Sequence, residues 1–132
     1  MILIDTSVLI DYFRGINNLG TKKLEFIINQ NIQHGICNFV YQELLQGSRD
    51  DKEFLILNEY LITQKFYNLK NGSESFENAA KIYIACRKKG LTIRSSIDLI
   101  ICQIVLENDL YLLHNDKDFE SISKIYENLK IF

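Results

Sequence analysis

The sequence predicts an α/β protein built on a central, mostly parallel sheet. Short apolar runs alternate with segments whose apolar residues recur at helical spacing, from one end of the chain to the other. The first run, Ile2-Leu3-Ile4, is apolar at every position, which is typical of a strand covered on both faces. No repeat or low-complexity linker interrupts the pattern, so one domain spanning residues 1–132 is expected.

Turn and capping residues bound the elements that follow the first strand. Asn38 and Asp50 are suitable N-caps for two helices, and Gly15 and Gly90 can end two others in the left-handed conformation. The expected elements are helices over residues 6–14, 19–31, 39–46, 51–62, 74–89 and 97–108, strands over 33–37, 65–69, 110–113 and 124–126, and a helical turn over 119–122.

Apolar spacing supports the two long helices of the second half. The helix over residues 97–108 is apolar on almost every side, so it is expected to be buried. The helix over 74–89 is expected to bury a single stripe of residues, namely Phe76, Ala79, Ala80, Ile82, Tyr83 and Cys86.

The composition excludes several classes of protein. A hydrophobic content of 47% argues against a disordered chain, and no apolar run approaches the roughly 20 residues of a membrane helix. The first apolar run has no basic segment before it and is interrupted by Asp5, so no secretion signal is expected. Cys37, Cys86 and Cys102 are far apart, which favours reduced thiols and a cytoplasmic location without a membrane partner.

The charge balance bears on the kind of substrate. Fifteen Lys and Arg residues against 17 Asp and Glu residues give a net charge of −2. This is not the basic balance typical of a nucleic-acid-binding domain. A nucleic-acid substrate would therefore require local basic patches or metal ions that overcome the overall charge.

Four acidic residues each lie at the end of an apolar element. Asp5 follows the first strand, Glu43 lies on the helix after the second strand, Asp98 lies in the first turn of the buried helix, and Asp116 follows the strand over 110–113. Strand ends and the helix starts that follow them share one edge of a parallel sheet. Asp5, Asp98 and Asp116 are therefore expected to meet at that edge.

Each of these acids alone also has an ordinary structural explanation. Asp5 could cap the first helix, Asp98 could interact with a helix dipole, Asp116 could form a turn, and Glu43 could be a solvated helix residue. Their joint placement favours function, because several buried carboxylates close together raise one another's pKa and are costly. A divalent cation relieves that conflict, and all-oxygen ligands favour Mg²⁺ or Mn²⁺.

Four segments carry a resemblance to a known family. They are IDTSVLID at 4–11, ELLQG at 43–47, IRSSIDLII at 93–101 and LLHNDKDF at 112–119. In order, spacing and total length the chain resembles PIN-domain ribonucleases, specifically the VapC-type toxins of type II toxin–antitoxin systems. The resemblance implies a three-layer α/β/α sandwich and a Mg²⁺- or Mn²⁺-dependent endoribonuclease acting on RNA. It also implies a cognate antitoxin protein and a homodimer.

The resemblance also assigns roles to the acids. It places Asp5, Glu43, Asp98 and Asp116 in the catalytic site and makes Asp5, Asp98 and Asp116 metal ligands. The expected chemistry is metal-assisted hydrolysis of an RNA phosphodiester. Whether one or two ions take part, and how Glu43 and Asp98 divide the task of orienting the attacking water, stay open at this point.

Five further residues near these acids are candidates for supporting roles. The resemblance implies auxiliary roles for Thr6, Ser7 and Asp118. Arg94 is a candidate phosphate contact, with an ordinary surface arginine as the equally weighted alternative. His114 departs from the family pattern, in which many relatives carry Thr, and a structural histidine is the more common use of such a residue.

Two other functions compete with the ribonuclease interpretation. An aspartyl-phosphate phosphatase would use Asp5 as its nucleophile, but Ser7 stands where such a site usually has a second acid. A non-catalytic PIN-like module would act with its antitoxin in operator DNA binding, and the intact set of acids argues against it. The target RNA and the identity of the antitoxin are not encoded in recognisable motifs.

Overall fold

A five-stranded parallel sheet organises the chain, and it is described by a computed structural model covering residues 1–132. The strands are β1 (Ile2–Ile4), β2 (His34–Ile36), β3 (Lys65–Phe66), β4 (Tyr111–Leu113) and β5 (Lys130–Ile131). The helices are α1 (Thr6–Phe13), α2 (Leu19–Asn29), α3 (Asn38–Gln46), α4 (Asp51–Leu61), α5 (Ser73–Lys88), α6 (Ser96–Glu107) and α7 (Lys117–Ile125). The prediction of an α/β fold is confirmed.

The central strand of the sheet is β1. The strand order is β3-β2-β1-β4-β5, and every neighbouring pair is parallel. Ile2 pairs with His34 of β2 on one side and with Tyr111 of β4 on the other. The chain builds the sheet outward from β1 through β2 and β3, and then returns to add β4 on the opposite side. The order therefore reverses between β1 and β4, where open α/β sheets usually place their ligand crevice.

Helices cover both faces of this sheet. α1 packs against α2 and α3, and α3 packs against α4, whereas α5 packs against α6 and α7. Right-handed crossovers place these two groups on opposite faces, because the chain reverses direction across the sheet between them. One continuous hydrophobic core joins the layers, and all three β1 residues are buried within it. The three-layer α/β/α arrangement is thus as predicted. None of the helices combines the length and apolar character needed to cross a membrane.

Helices α5 and α6 run antiparallel, and this fixes where the segment between them lies. The Asn108 side-chain amide, just after α6, donates to the carbonyl oxygen of Asn68 at 2.9 Å. The backbone N–H of Lys70 donates to Glu107 Oε2 at 2.7 Å. These bonds hold the start of α5 beside the end of α6. The end of α5 therefore lies beside the start of α6, at the edge that carries Asp98.

Three differences from the expected elements have a structural cause, and the other ends agree to within two residues. β3 has two residues instead of five, because residues 68–70 turn away from the sheet to bond the end of α6. Asn38 does not cap α3 but is its first residue, and its side-chain amide donates to Asn68. The expected short turn over 119–122 and strand over 124–126 are instead one helix, α7. Phe119 and Ile122 are buried three residues apart, which is helical spacing, and the last strand follows at β5.

The buried stripe of α5 was predicted in part. Ala79, Ile82 and Cys86 are buried as expected, whereas Phe76 and Ala80 are exposed. Ser75 is buried in their place, because its hydroxyl accepts a hydrogen bond from the backbone N–H of Asn71 at 3.1 Å. A polar side chain with a local partner thus occupies the buried side at the start of this helix.

Candidate active site

Asp5 lies at the carboxyl end of the central strand and is only 6% exposed. It is also the N-cap of α1, since its Oδ2 accepts hydrogen bonds from the Ser7 backbone N–H at 3.1 Å and the Ser7 hydroxyl at 2.6 Å. Burial raises the pKa of Asp5, the bonds from Ser7 oppose this, and the charge of Asp116 adds to the rise. Asp5 is therefore both the cap of α1 and an acid at the end of the central strand.

Asp116 reaches the same edge from β4. It is the N-cap of α7, and its Oδ1 accepts a hydrogen bond from the backbone N–H of Asp118 at 2.9 Å. Its own backbone N–H donates to Nδ1 of His114 at 3.0 Å. The negative charge of Asp116 raises the pKa of both Asp5 and Asp98, so these three acids are within electrostatic reach of one another.

Asp98 is half-buried in the first turn of α6 and is influenced by more acids than any other group in the site. Its pKa is raised to about 7, first by burial and then by the charges of Asp116, Asp5, Asp118 and Glu43. No hydrogen bond to the Asp98 carboxylate opposes this rise in its pKa. The repulsion from all four of these carboxylates therefore acts on Asp98.

Glu43 approaches the site from α3. The residue lies on the exposed side of that helix, yet its pKa is raised by partial burial of the carboxyl and by the charge of Asp5. The Thr6 hydroxyl is buried without a partner at hydrogen-bond distance, although it lies close enough to the Glu43 carboxyl to lower its pKa. The turn that begins α1 thus borders Glu43 as well as Asp5.

No basic side chain neutralises this group of acids. The two ion pairs that Arg and Lys form in the chain involve Glu53 and Asp109, which lie outside this group. No three Asp, Glu, His or Cys side chains are close enough together to hold a metal ion as they stand. The structure therefore gathers the predicted acids at one edge and leaves their charges unpaired, but it does not assemble them into a closed set of ligands.

His114 packs inward beside the acids. Its side chain is 7% exposed, and its ring packs against Phe119 at a centroid distance of 5.4 Å. Burial lowers its pKa, although the charges of Asp5, Glu120 and Asp116 oppose this. A neutral imidazole that accepts the Asp116 N–H through Nδ1 carries its proton on Nε2, which is buried without a hydrogen-bond partner.

One predicted candidate, Arg94, and one set of contacts that the sequence did not predict complete the description of this edge. Arg94 is exposed, precedes the N-cap of α6 and forms no ion pair. Sequence reasoning missed a set of amide contacts beside Asp116, in which Asn115 bonds Asp11 and Asn18. Asn is so common in turns and loops that its presence gave no signal of a long-range contact.

Comparisons with known proteins place the chain in a family. The PIN domain family model matches residues 2–125. This chain belongs to the PIN domain family. It is 29% identical to "VapC ribonuclease Mb1587" of Mycobacterium bovis, over 95% of this PIN domain and 93% of that protein. It is 28% identical to "Ribonuclease VapC1" of Methanocaldococcus jannaschii, over 99% of this chain and 86% of that protein.

Solved structures share the fold of this PIN domain at low sequence identity. VapBC2 from Rickettsia felis, bound to a DNA fragment from its promoter, contains a chain with a TM-score of 0.75 and 18% identity, covering 100% of this chain and 98% of that one. FitAcB from Neisseria gonorrhoeae gives a TM-score of 0.74 at 18% identity, covering 100% and 96%. The predicted VapC-type PIN fold is thereby confirmed.

The crowding at Asp98 predicts an unusual dependence of stability on pH when divalent cations are removed with EDTA. The pKa of Asp98 in the folded protein, about 7, lies above the ordinary aspartate value of 3.8. The folded protein therefore binds more protons than the unfolded chain between about pH 4 and pH 7, and this contribution to stability is lost as the pH rises through that window. Asp98→Asn should have a higher melting temperature than wild type at pH 8. Its melting temperature should also fall less steeply than that of wild type as the pH rises.

The measurement is thermal melting at several pH values between 5 and 8. Asp51→Asn is the matched control, because Asp51 also lies in the first turn of a helix but is exposed on α4. A wild-type melting temperature that rises across this range, or an equal gain in both variants, would contradict the prediction.

Proposed function

We propose that this PIN domain is the toxin of a type II toxin–antitoxin pair and acts as a metal-dependent endoribonuclease. One observation carries the proposal: four acids at the family's spacing converge where the strand order reverses, and no basic side chain pairs with them. The names of the curated relatives, which are VapC ribonucleases, support the same activity.

The chemistry of these acids fits a hard divalent cation. Their donors are all carboxylate oxygens, which Mg²⁺ and Mn²⁺ prefer. Mg²⁺ usually takes one or two carboxylates and keeps several waters, so it does not require a closed set of protein ligands. Asp5, Asp98 and Asp116 would hold the ion. Bound there, it would offset the crowded negative charge and make a coordinated water more acidic.

The protein side chains divide the remaining tasks. Ser7 holds the Asp5 carboxylate in one orientation through two hydrogen bonds to Oδ2. Asp118 holds Asp116 in the same way, through its backbone N–H. Glu43 is the most solvent-accessible of the four acids and lies outside the proposed ligand set. We assign it to orienting the water that attacks the phosphodiester and to accepting its proton at the carboxylate.

An RNA substrate requires cations near these acids, and the antiparallel α5–α6 pair supplies them. Arg87 and Lys88 end α5, Lys89 follows it and Arg94 precedes the N-cap of α6, and all four are exposed. None of them forms an ion pair. We assign Arg94, which is closest in sequence to Asp98, to a phosphate of the RNA beside the cleavage site.

Partner proteins are the second part of the proposal. Helix α4 exposes Leu55 and Ile56 by 60% each, and Ile62, which follows the helix as its C-cap, is 58% exposed, so large apolar side chains form an uncovered surface here. Tyr60 extends this surface to Phe13 of α1 by an edge-to-face contact at 5.7 Å. We propose that α4 is covered by a second copy of this chain.

An antitoxin partner is supported by the structural neighbours, which include a "Toxin-antitoxin complex from Klebsiella pneumoniae".

Loss of a proposed ligand should abolish both metal binding and cleavage. We expect Mn²⁺ to raise the melting temperature of the wild type and to support cleavage of RNA, with Asp5→Asn removing both effects. The cleavage rate should fall on the order of 100-fold or more, since even residues that only support a ligand cost 10–100-fold. Melting curves and RNA end-mapping of the products are the measurements.

A matched control separates the ligand role of Asp5 from its role as a helix cap. Asp50 caps α4 by accepting the backbone N–H of Glu53 at 2.8 Å, and it lies outside the site. Asn is an equally good N-cap, so Asp50→Asn should behave as wild type. Wild-type melting unchanged by Mn²⁺, together with uncut RNA, would instead favour the non-catalytic module.

The phosphate contact of Arg94 predicts a loss of affinity that does not depend on RNA sequence. In an Asp5→Asn background, which prevents cleavage, Arg94→Ala should weaken binding of every single-stranded RNA several-fold. It should also reduce the slope of log affinity against log salt by about 0.7. Arg49→Ala is the control, because Arg49 is paired with Glu53 on α4. Equal slopes for the two variants would refute the assignment.

The homodimer predicts a solution mass of twice the 15.4 kDa chain mass. Ile56→Glu should shift light scattering toward the monomer, because a buried unpaired carboxylate opposes association. Phe76→Glu, at a residue of similar exposure on α5, should leave the dimer intact. A monomeric wild type, or an unaffected Ile56→Glu, would show that α4 is not the interface.

A further inference from the structure

A single hydroxyl joins the ends of the two strands that flank the point of reversal. Ser7 Oγ donates to Asp5 Oδ2 at 2.6 Å and accepts a hydrogen bond from the backbone N–H of Asn115 at 3.0 Å. Asn115 immediately precedes Asp116. The position of one proposed ligand is therefore linked to that of another through Ser7 and one turn of backbone.

The side chain of Asn115 continues this link to α1 and α2. Its Nδ2 donates to Asp11 Oδ2 at 3.0 Å and to Asn18 Oδ1 at 3.3 Å. Asn18 Nδ2 donates to the same Asp11 oxygen at 2.9 Å, which closes a triangle of three side chains. Asn18 is itself fixed, because it caps α2 through the backbone N–H of Thr21 at 3.0 Å.

Gly20 provides the space that this triangle needs. The glycine is buried, and a Cβ atom at this position would lie 2.2 Å from Asn115 Oδ1. The backbone of Gly20 is helical, so no special dihedral angle requires glycine there. The requirement is one of space, since any larger residue would force the Asn115 amide to move.

We propose that Asn115 is a positioning residue, which Asp11, Asn18 and Gly20 hold in place so that the following turn presents Asp116 beside Asp5. These four residues form the Asn115 network. Isolated exposed hydrogen bonds contribute little to stability. The three mutual bonds of Asn115, Asp11 and Asn18 have a different effect, because they tie the loop before α7 to α1 and to the start of α2. Since Asn115 directly precedes Asp116, these bonds limit where the Asp116 carboxylate lies. This inference rests on the proposed metal-dependent function.

Two variants disrupt the network from different elements. Asn115→Ala removes the side-chain bonds but keeps the backbone bond to Ser7. Gly20→Ala keeps the Asn115 side chain but places a methyl group where the Asn115 amide lies. Alanine also favours the helical backbone of α2, so this change should not disrupt the helix itself. Asn17→Ala is the control, because Asn17 is the exposed neighbour of Asn18 and makes none of the side-chain bonds of the network.

The readout is the Mn²⁺ concentration that gives half of the maximal rise in melting temperature, with melting in EDTA reporting the fold itself. Both network variants should need on the order of 10-fold more Mn²⁺ than wild type, as expected when a residue that supports a ligand is lost. In cleavage assays kcat should fall while KM for RNA stays unchanged. Asn17→Ala should match wild type in every measurement.

Three results would overturn the inference, and they separate it from the proposed function. If wild type responds to Mn²⁺ and both variants respond at the same concentration, the network does not position Asp116, although the nuclease proposal stands. If Asn115→Ala alone has an effect, Asn115 acts by direct contact and not through the network. If wild type neither binds Mn²⁺ nor cleaves RNA, both the inference and the proposed function are wrong.

Discussion

Electrostatic repulsion among carboxylates gathered at one edge of the sheet is the constraint on which the arrangement of this PIN domain depends. Asp5 is almost fully buried at the end of the central strand, and its neighbours at that edge carry the same charge. A fold does not place unpaired charges together without compensation. Here the compensation is partial: Ser7 bonds Asp5, Asp118 bonds Asp116, and Asp98 receives no such bond. Burial and the neighbouring charges accordingly raise the pKa of Asp98 to about 7.

The sheet topology explains why the acids meet at all. They come from β1, α3, α6 and β4, which are distant in sequence but share one edge because every strand points the same way. The reversal of strand order between β1 and β4 opens a gap between the helices on the two faces. Asp5 and Asp116 border that gap, while Glu43 and Asp98 approach it from the helices of opposite faces. Parallel strands thus convert separate short motifs into one site.

The sequence predicted this much because the governing signals are local and strong. A fully apolar run before Asp5 identified the central strand, and helical spacing identified α5 and α6. The end of the chain was predicted less well, because α7 is short and amphipathic and the two-residue β5 carries almost no pattern.

The position of Asn38 shows the same limit. A good capping residue lay at the right place, but the helix began one residue earlier and left its amide free for Asn68. The Asn115 network could not be found from sequence, because its bonds join residues about a hundred positions apart.

That separation has a consequence for synthesis of the protein. Ser7 and Asn115 are 108 residues apart, and β1 acquires its second neighbour only when β4 is available to pair with it. Contacts between such distant segments form late, because a long loop must close before they are made. A nascent chain still emerging from the ribosome carries Asp5 without Asp98 or Asp116. The acidic edge therefore cannot exist until nearly the whole chain has been translated, and a chain that ends early is left with a strand and no site.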